Sequence, residues 1–518
     1  MAQAPPWQFF RFSNLTGGLA DGLESTAISP QEASDLQNIV FSTGGAITRR
    51  DGFTDEPFNT SADPSSTADT VGLTFWKQAD GTRFAVRVVE DGGTDLIQKM
   101  DYGAGTSGPD GTWDNITGSI TIAVDADDQT SFAFALDRLL IEDGVNTTAP
   151  FQWTGSGNVS DLTNAANAKG VVFHKLHVFT WGNNTNPSRI AFSDLCAVAT
   201  SCLTTWTATD VIDIETNDGQ TVQWMTSGLD ALYIWKDNSI WRLSGTDRDS
   251  WILDQMVVDV GTLSGQSVKL INNRFIFVTS ECDIAVYDGG INVEFISTKI
   301  DGTINGLNLD RCDEAVATEF DGDYYVSLSD TGASTHDTIL LFDTFHQAWT
   351  KFSGINANAI ATFEIGTLEE AIMFGDYSGN VLRYPNGNND DGSAIVAFYQ
   401  SGDLRLPSLP KEKIFRLVRV FTNQTGSGNT LTFESRIDFI TAGATSTISL
   451  AGSGSLYDTA IFDTDVYGDL TTVIGRVEIN EPGDFLRWRV STNDSNPAWV
   501  VREIGLWVEE TNRIGGIQ

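Results

Sequence analysis

Residues 231–243, ALYIWKDNSIWRL, decide the fold of this 518-residue chain. Ala231–Trp235 is apolar and aromatic, Lys236-Asp237-Asn238 is a polar corner, and Ser239–Leu243 returns to an apolar pattern. Two short runs around a polar turn predict an antiparallel hairpin. Working outward, the same theme recurs every 40 to 50 residues or so, the spacing of propeller blades. Gly72–Trp76 pairs with Arg83–Val88, and Ser131–Leu136 with Arg138–Ile141, followed by an Asp143-Gly144 turn and Phe151-Gln152-Trp153. Val171–Phe179 reads as one strand. Arg274–Val278 with Ile284–Tyr287, Asp323–Leu328 with Thr338–Asp343, and Ala371–Gly375 with Asn380–Tyr384 continue the series. Repeated meanders close best into a β-propeller, which leaves only short, protected edges. The expectation is an all-β chain with a propeller of about six or seven blades over residues 71–403. A stack of two sandwiches is the architectural alternative.

After Gly402 the texture changes. Pro407 and Pro410 mark a linker, and longer alternating strands follow, such as Phe415–Phe421, Thr430–Arg436, Phe485–Val490 and Arg502–Val508. Apolar residues alternate with arginines, as in a two-sheet sandwich with one wet face. Residues 404–518 are therefore expected to form a β-sandwich. Residues 1–70 are expected to be a separate segment, with a helical turn and short strands, docking onto the propeller.

Composition supports this class. Apolar residues make up 41% and charged residues 19%, with 49 Gly, 30 Phe and 14 Trp but only 5 Met. That mixture suits short strands, tight turns and aromatics packed between sheets. Lys and Arg number 31 against 69 Asp and Glu, a net charge of −38. Broad phosphate binding needs clustered cations, so this balance excludes a nucleic-acid grip over any wide surface. The acidity either keeps an exposed β protein soluble or lines a surface that repels phosphate. No apolar stretch reaches 18 residues, so no membrane span is expected, and the N-terminus lacks the pattern of a signal peptide. The four cysteines, Cys196, Cys202, Cys282 and Cys312, contain no CxxC pair. They are expected to be reduced thiols, although Cys196 and Cys202 bracket a short loop that a bridge would span.

Gly17–Phe53 reads GGLADGLESTAISPQEASDLQNIVFSTGGAITRRDGF. It gives a polar, helix-biased turn at Ser29–Ala33, a short strand at Asn38–Phe41, a Gly-Gly turn, a second strand, and Arg49-Arg50-Asp51-Gly52-Phe53. This order resembles the opening of tail nozzle (tail hub, or stabilisation) proteins of short-tailed double-stranded DNA bacteriophages. Gly402-Asp403-Leu404 with Pro410-Lys411 is similar to the step that enters their β-sandwich. The resemblance implies a structural, non-enzymatic virion protein. It would form a ring of six copies that lines and gates the DNA ejection channel, and it would carry tail spikes or fibres. Its partners would be other copies of the chain, an adaptor or portal-side ring, and double-stranded DNA passing without specific binding. Assembly would take place in the bacterial host cytoplasm. The alternative function is a carbohydrate-binding or carbohydrate-cleaving propeller acting as a receptor-binding tail protein.

No catalytic, cofactor-binding or metal site is expected. His174 and His177 form an HxxH whose spacing on one strand would put them on opposite faces. Four histidines in the whole chain make histidine-based general catalysis improbable. Ser107–Trp113 echoes the Asp-box of sialidase-like propellers, but Asp110 falls one place late, so it reads as a hairpin turn with an aromatic plug. The acidic runs Asp125–Asp128 and Asn386–Gly392 lack calcium-loop spacing and read as solvated turns. The basic residues Arg49, Arg50, Arg405, Lys411 and Lys413 are the candidate docking points. There they would pair with carboxylates of a neighbouring subunit or an adaptor ring; the alternative is that they are solvated strand ends.

Overall fold

The computed structural model describes residues 7–55, 68–104, 109–196, 202–203, 205–366, 369–406, 411–426, 428–451 and 472–514. The Ala231–Lys236 and Ser239–Ser244 strands pair as the sequence predicts, with Val222–Gly228 and Ile252–Val258 completing a four-stranded antiparallel meander. Seven such sheets follow one another along the chain. Blades 1 to 6 begin at Asp69, Ser131, Gly170, Val222, Lys269 and Val316, and blade 7 begins at Ala359. Seven apolar clusters lie between successive sheets, and the last joins blade 7 back to blade 1 through Met373, Phe363, Leu73 and Trp113. The circle is therefore closed: the chain is a seven-bladed propeller with a β-sandwich. Aromatics hold the joints, as where Trp153 meets Trp76 at 5.5 Å and Phe84 at 4.8 Å between ring centroids. Burying each such side chain contributes about 1.5–3 kcal/mol.

Side chains bridge the axis. Gln129, entering blade 2, donates from Nε2 to the carbonyls of Asp313 (3.0 Å) and Ala315 (3.3 Å), which lead into blade 6. Gln266, entering blade 5, donates to the Thr130 carbonyl. A void bounded by Leu73, Phe132, Val316 and Ile360, on the innermost strands of blades 1, 2, 6 and 7, measures about 20 Å³. That is room for at most about one water.

Blade 7 receives its outermost strand from the other end of the chain. Thr54–Asp55 pairs with Val381–Tyr384, in the register Leu382↔Asp55 and Arg383↔Thr54. The rest of the N-terminal segment enters the sandwich, which corrects the expected boundaries. Ala33–Gln37 pairs with Ile395–Ser401 in a five-stranded sheet. Trp7–Phe12, Ile39–Phe41 and Ile47–Arg49 join Lys411–Asn423, Thr472–Gly483 and Val500–Ile514 in a six-stranded one. The sandwich thus takes strands from both chain ends, and its C-terminal part starts at Ile395 rather than residue 404. The physical reason is edge pairing: Ile395–Ser401 needs a partner on each side and finds Ala33–Gln37 and Leu486–Asp494. Ser29–Ala33 is a single turn rather than a helix. The Glu32 amide donates to the Ser29 carbonyl and the Glu32 carboxylate accepts from the Ser29 amide, and a strand begins at once.

The core of the sandwich (Phe415, Val418, Phe433, Trp488, Ile504 and Leu506) runs without a break into the space between blades 5 and 6. The expectation of reduced thiols is corrected: Cys196 bonds Cys202, and Cys282 bonds Cys312, with Cα separations of 4.9 and 5.7 Å. Cys282 sits at a tight turn with φ 70. Cys312 lies on the short helical turn Leu309–Glu314 before blade 6, so the blade 5–6 contact brings the pair together.

Candidate functional site at the propeller–sandwich joint

The joint is built on Asn38. With φ 56 it turns the chain between Ala33–Gln37 in one sheet and Ile39–Phe41 in the other, a conformation that asparagine tolerates better than most residues. Its Nδ2 donates to the Val396 carbonyl at 2.8 Å. Its Oδ1 accepts from Arg50 Nε (2.8 Å) and from the Ser353 amide at the end of blade 6 (3.0 Å).

Arg50 is fully buried. Its guanidinium forks onto Asp390 at 2.8 and 2.7 Å and donates to the carbonyls of Asp51 (2.8 Å) and Ser353 (2.9 Å). Arg49, also buried, pairs with Asp494 at 2.9 Å and donates to the carbonyls of Asp494, Asn388 and Asn496. Burial pulls the Arg49 guanidinium below its usual range, against the pull of Asp494. One dipeptide therefore ties blade 6, the 386–392 loop after blade 7, and the sandwich. Gly52 makes the approach possible, since a Cβ there would lie 1.9 Å from the Asn389 carbonyl oxygen. Phe53 plugs the blade 6–7 core.

This geometry corrects two expectations. Arg49 and Arg50 are not docking points for another protein, because both are buried and ion-paired inside the chain. The Asn386–Gly392 run is more than a solvated turn: exposed at Gly387, Asn388, Asp391 and Gly392, it also accepts from those arginines through Asp390 and Asn388. Sequence reasoning missed Asn38, Asp390 and Asp494. The available signal was a polar residue interrupting two apolar strands in a segment where two arginines follow. Lys413 is buried as well, with Nζ 3.3 Å from the Asp484 carbonyl. Arg405 stays exposed, its guanidinium 5.2 Å from the Phe485 ring centroid. Lys411 opens the strand Lys411–Asn423, and its side chain lies outside the described residues.

The remaining motifs resolve as follows. His174 and His177 are not on one strand. Lys175 and Leu176 (φ 41 and 64) form a turn between them, so the two histidines are cross-strand partners. Both are buried; His174 Nδ1 meets Ser227 Oγ at 2.7 Å, and His177 Nδ1 donates to the Ser193 carbonyl at 2.8 Å. Burial pushes the His174 pKa down to about 4. Asp110 Oδ1 accepts from the Thr112 amide at 3.2 Å, and Trp113 is buried beneath the Arg87 guanidinium. Ser107 and Gly108 lie outside the described residues. The Asp125–Asp128 turn sits where the chain enters blade 2, with Asp127 3.2 Å from Arg311. Beside it, burial pushes Glu314 up to about 7 against the pull of Arg311. Burial and the nearby Glu90 push Asp69 up to about 6. Among the described residues no group of three or more His, Cys, Asp or Glu is placed to hold a metal ion. No described helix is long and apolar enough to cross a membrane.

No family model matches the chain. No curated protein matches it either. Among solved structures it is similar to "YCF48 bound to D1 peptide", at 13% identity and TM-score 0.37, covering 62% of this chain and 95% of the other. The Neurospora crassa Pan2 WD40 domain matches at 9% identity and TM-score 0.38, covering 67% and 98%. A BBS1N–ARL6DN complex matches at 11% and 0.37, covering 66% and 99%. The propeller described above rests on its own sheet order and circular core, and these likenesses add no function to it.

Proposed function

We propose that this chain is a structural, non-enzymatic component of a phage virion, the nozzle or hub of a short tail. In this reading six copies form a ring around the DNA ejection channel and gate it, with an adaptor or portal-side ring above and spikes or fibres attached. The ring is assembled in the bacterial cytoplasm. The observation that carries the reading is the role of Gly17–Phe53. The segment on which the resemblance stands supplies strands to both sandwich sheets, the joint residues Asn38, Arg49 and Arg50, and the lead into the strand that closes blade 7. The side chains that bridge the propeller axis also support it. A duplex whose major groove alone is about 12 Å wide cannot thread one chain, so a bore has to lie between copies. A net charge of −38 denies phosphates a broad partner.

Negative-stain imaging of the purified chain, alone and with an adaptor ring, tests this. Closed rings with an open centre are expected. A monomer under both conditions that binds or cleaves a polysaccharide would overturn the reading. One observation favours that second reading: a cleft of about 510 Å³ on blade 3, lined by Trp206, Asn183, Asn186 and Arg189. Its volume suits a small ligand, and the half-buried Trp206 ring offers a platform for a sugar face.

A further inference from the structure

The outward face of the six-stranded sandwich sheet inverts the character of the rest of the chain. Its inward residues (Phe415, Val418, Ile504, Leu506) fill the core, so the alternate residues face solvent. Register aligns these in rows across the strands. Phe9, Trp507, Leu417 and Glu478 form one row, and Arg11, Gly505, Arg419 and Arg476 the next. Phe421 and Ile474 follow, opposite Glu503. Phe9 packs on Trp507 at 4.4 Å between ring centroids and covers Gly505, where a Cβ would lie 2.8 Å from the Phe9 ring. Trp7, Phe9 and Ile474 are each about half exposed.

Charge sets this face apart. Arg11, Arg416, Arg419 and Arg476 stand against Glu478, Glu503 and Glu509, whereas the whole chain carries more than two acids per base. Arg419, at the centre, is exposed and lies 5.0 Å from the Trp507 ring centroid. No carboxylate pairs with it among the described residues. A sheet face with exposed rings around an unpaired arginine shares the aromatic and Arg enrichment of interface cores.

We propose that this face is where a second copy of the chain docks, presenting an acidic surface of its propeller. The occupant follows from charge complementarity: every copy brings a sheet face whose glutamates are already paired with Arg11, Arg416 and Arg476, leaving the charge of Arg419, and a large acidic excess elsewhere, so face-to-propeller contact gives Arg419 a carboxylate. Face-to-face contact would offer Arg419 only carboxylates that are already ion-paired. A contact between unlike surfaces is head-to-tail, and it closes into a ring when the rotation permits. The proposal rests on the ring reading above and names the surface that reading leaves open.

The test uses the full chain in native mass spectrometry and sedimentation, with and without an adaptor ring. Wild type is compared with Arg419→Glu and Arg419→Lys, and with a benzophenone photo-crosslinker placed at position 9. Arg419→Glu is expected to weaken self-association by about tenfold or more while its thermal unfolding matches wild type, and Arg419→Lys is expected to retain part of the association. The crosslinker should capture an acidic propeller peptide of another copy. If Arg419→Glu assembles like wild type, this face is wrong and the ring reading stands. If wild type stays monomeric with and without the adaptor ring, both fall.

Discussion

Arg50 shows how one side chain holds two modules together. Both ends of its ion pair with Asp390 are nearly dry, so removing the guanidinium strands a carboxylate in a poorly solvated place. Arg50→Ala should cost about 3–5 kcal/mol, read as a lower urea midpoint. Arg50→Lys should recover only part of this, because a lysine cannot fork onto Asp390 and still reach the Asn38 and Ser353 oxygens. The sequence displayed the arginines but not their burial, since the partners lie 340 and 445 residues away. Without them, a basic pair in an acidic chain looks like an exposed contact. Glu314 gives a second prediction at this scale. Its folded pKa of about 7 stands above its ordinary 4.5 because burial penalises the charged form. The native state then holds more protons than the unfolded chain across that window, so stability falls as pH rises from 4.5 to about 7. Glu314→Gln should flatten that part of a stability-versus-pH curve, and an unchanged slope would count against the buried-carboxyl account.

Among the elements, one of the shortest strands does the closing. Thr54–Asp55 is two residues long and pairs with a strand more than 300 residues later, so no periodicity could announce it. What the sequence did announce were pairs of apolar or alternating strands, most of four or more residues, with a strong turn between them, which is why the blade hairpins were legible. His174–His177 was misjudged because a two-residue Lys175-Leu176 turn carries no Gly or Asn to mark it. Closure of blade 7 depends on Gly52 letting the 386–392 loop lie against the strand. Gly52→Ala should force that loop away, cost about 1–3 kcal/mol, and raise amide exchange across Val381–Tyr384 ahead of the other blades. Uniform exchange in all seven blades would show that the strand is not the latch. The Cys282–Cys312 bond acts at the same scale, closing a loop with a sequence separation of 30 between blades 5 and 6. Replacing both cysteines by serine should cost about 3–4 kcal/mol on chain entropy, and thiol titration of the unreduced, denatured chain should find no free sulfhydryl.

Over the whole molecule, the all-β class and its two modules could be read from strand length and turn spacing. The way the N-terminal segment threads both modules could not, because each of its strands is too short to show which sheet it will join. The charge balance is the property that acts only at this scale. An ordinary DNA-binding surface gains affinity as salt is lowered, because each phosphate it neutralises releases counterions. Here the excess of 38 negative charges works the other way: lowering salt lengthens the reach of repulsion between the protein and the duplex. A gel-shift titration with duplex DNA should therefore show no complex at about 200 mM salt and none at about 50 mM. The same result is expected for assembled rings, whose lumen would then let a genome pass without holding it. A complex that tightens as salt falls would mean that assembly gathers the scattered arginines onto one surface facing the duplex, and the chain would then be a DNA grip instead of a conduit.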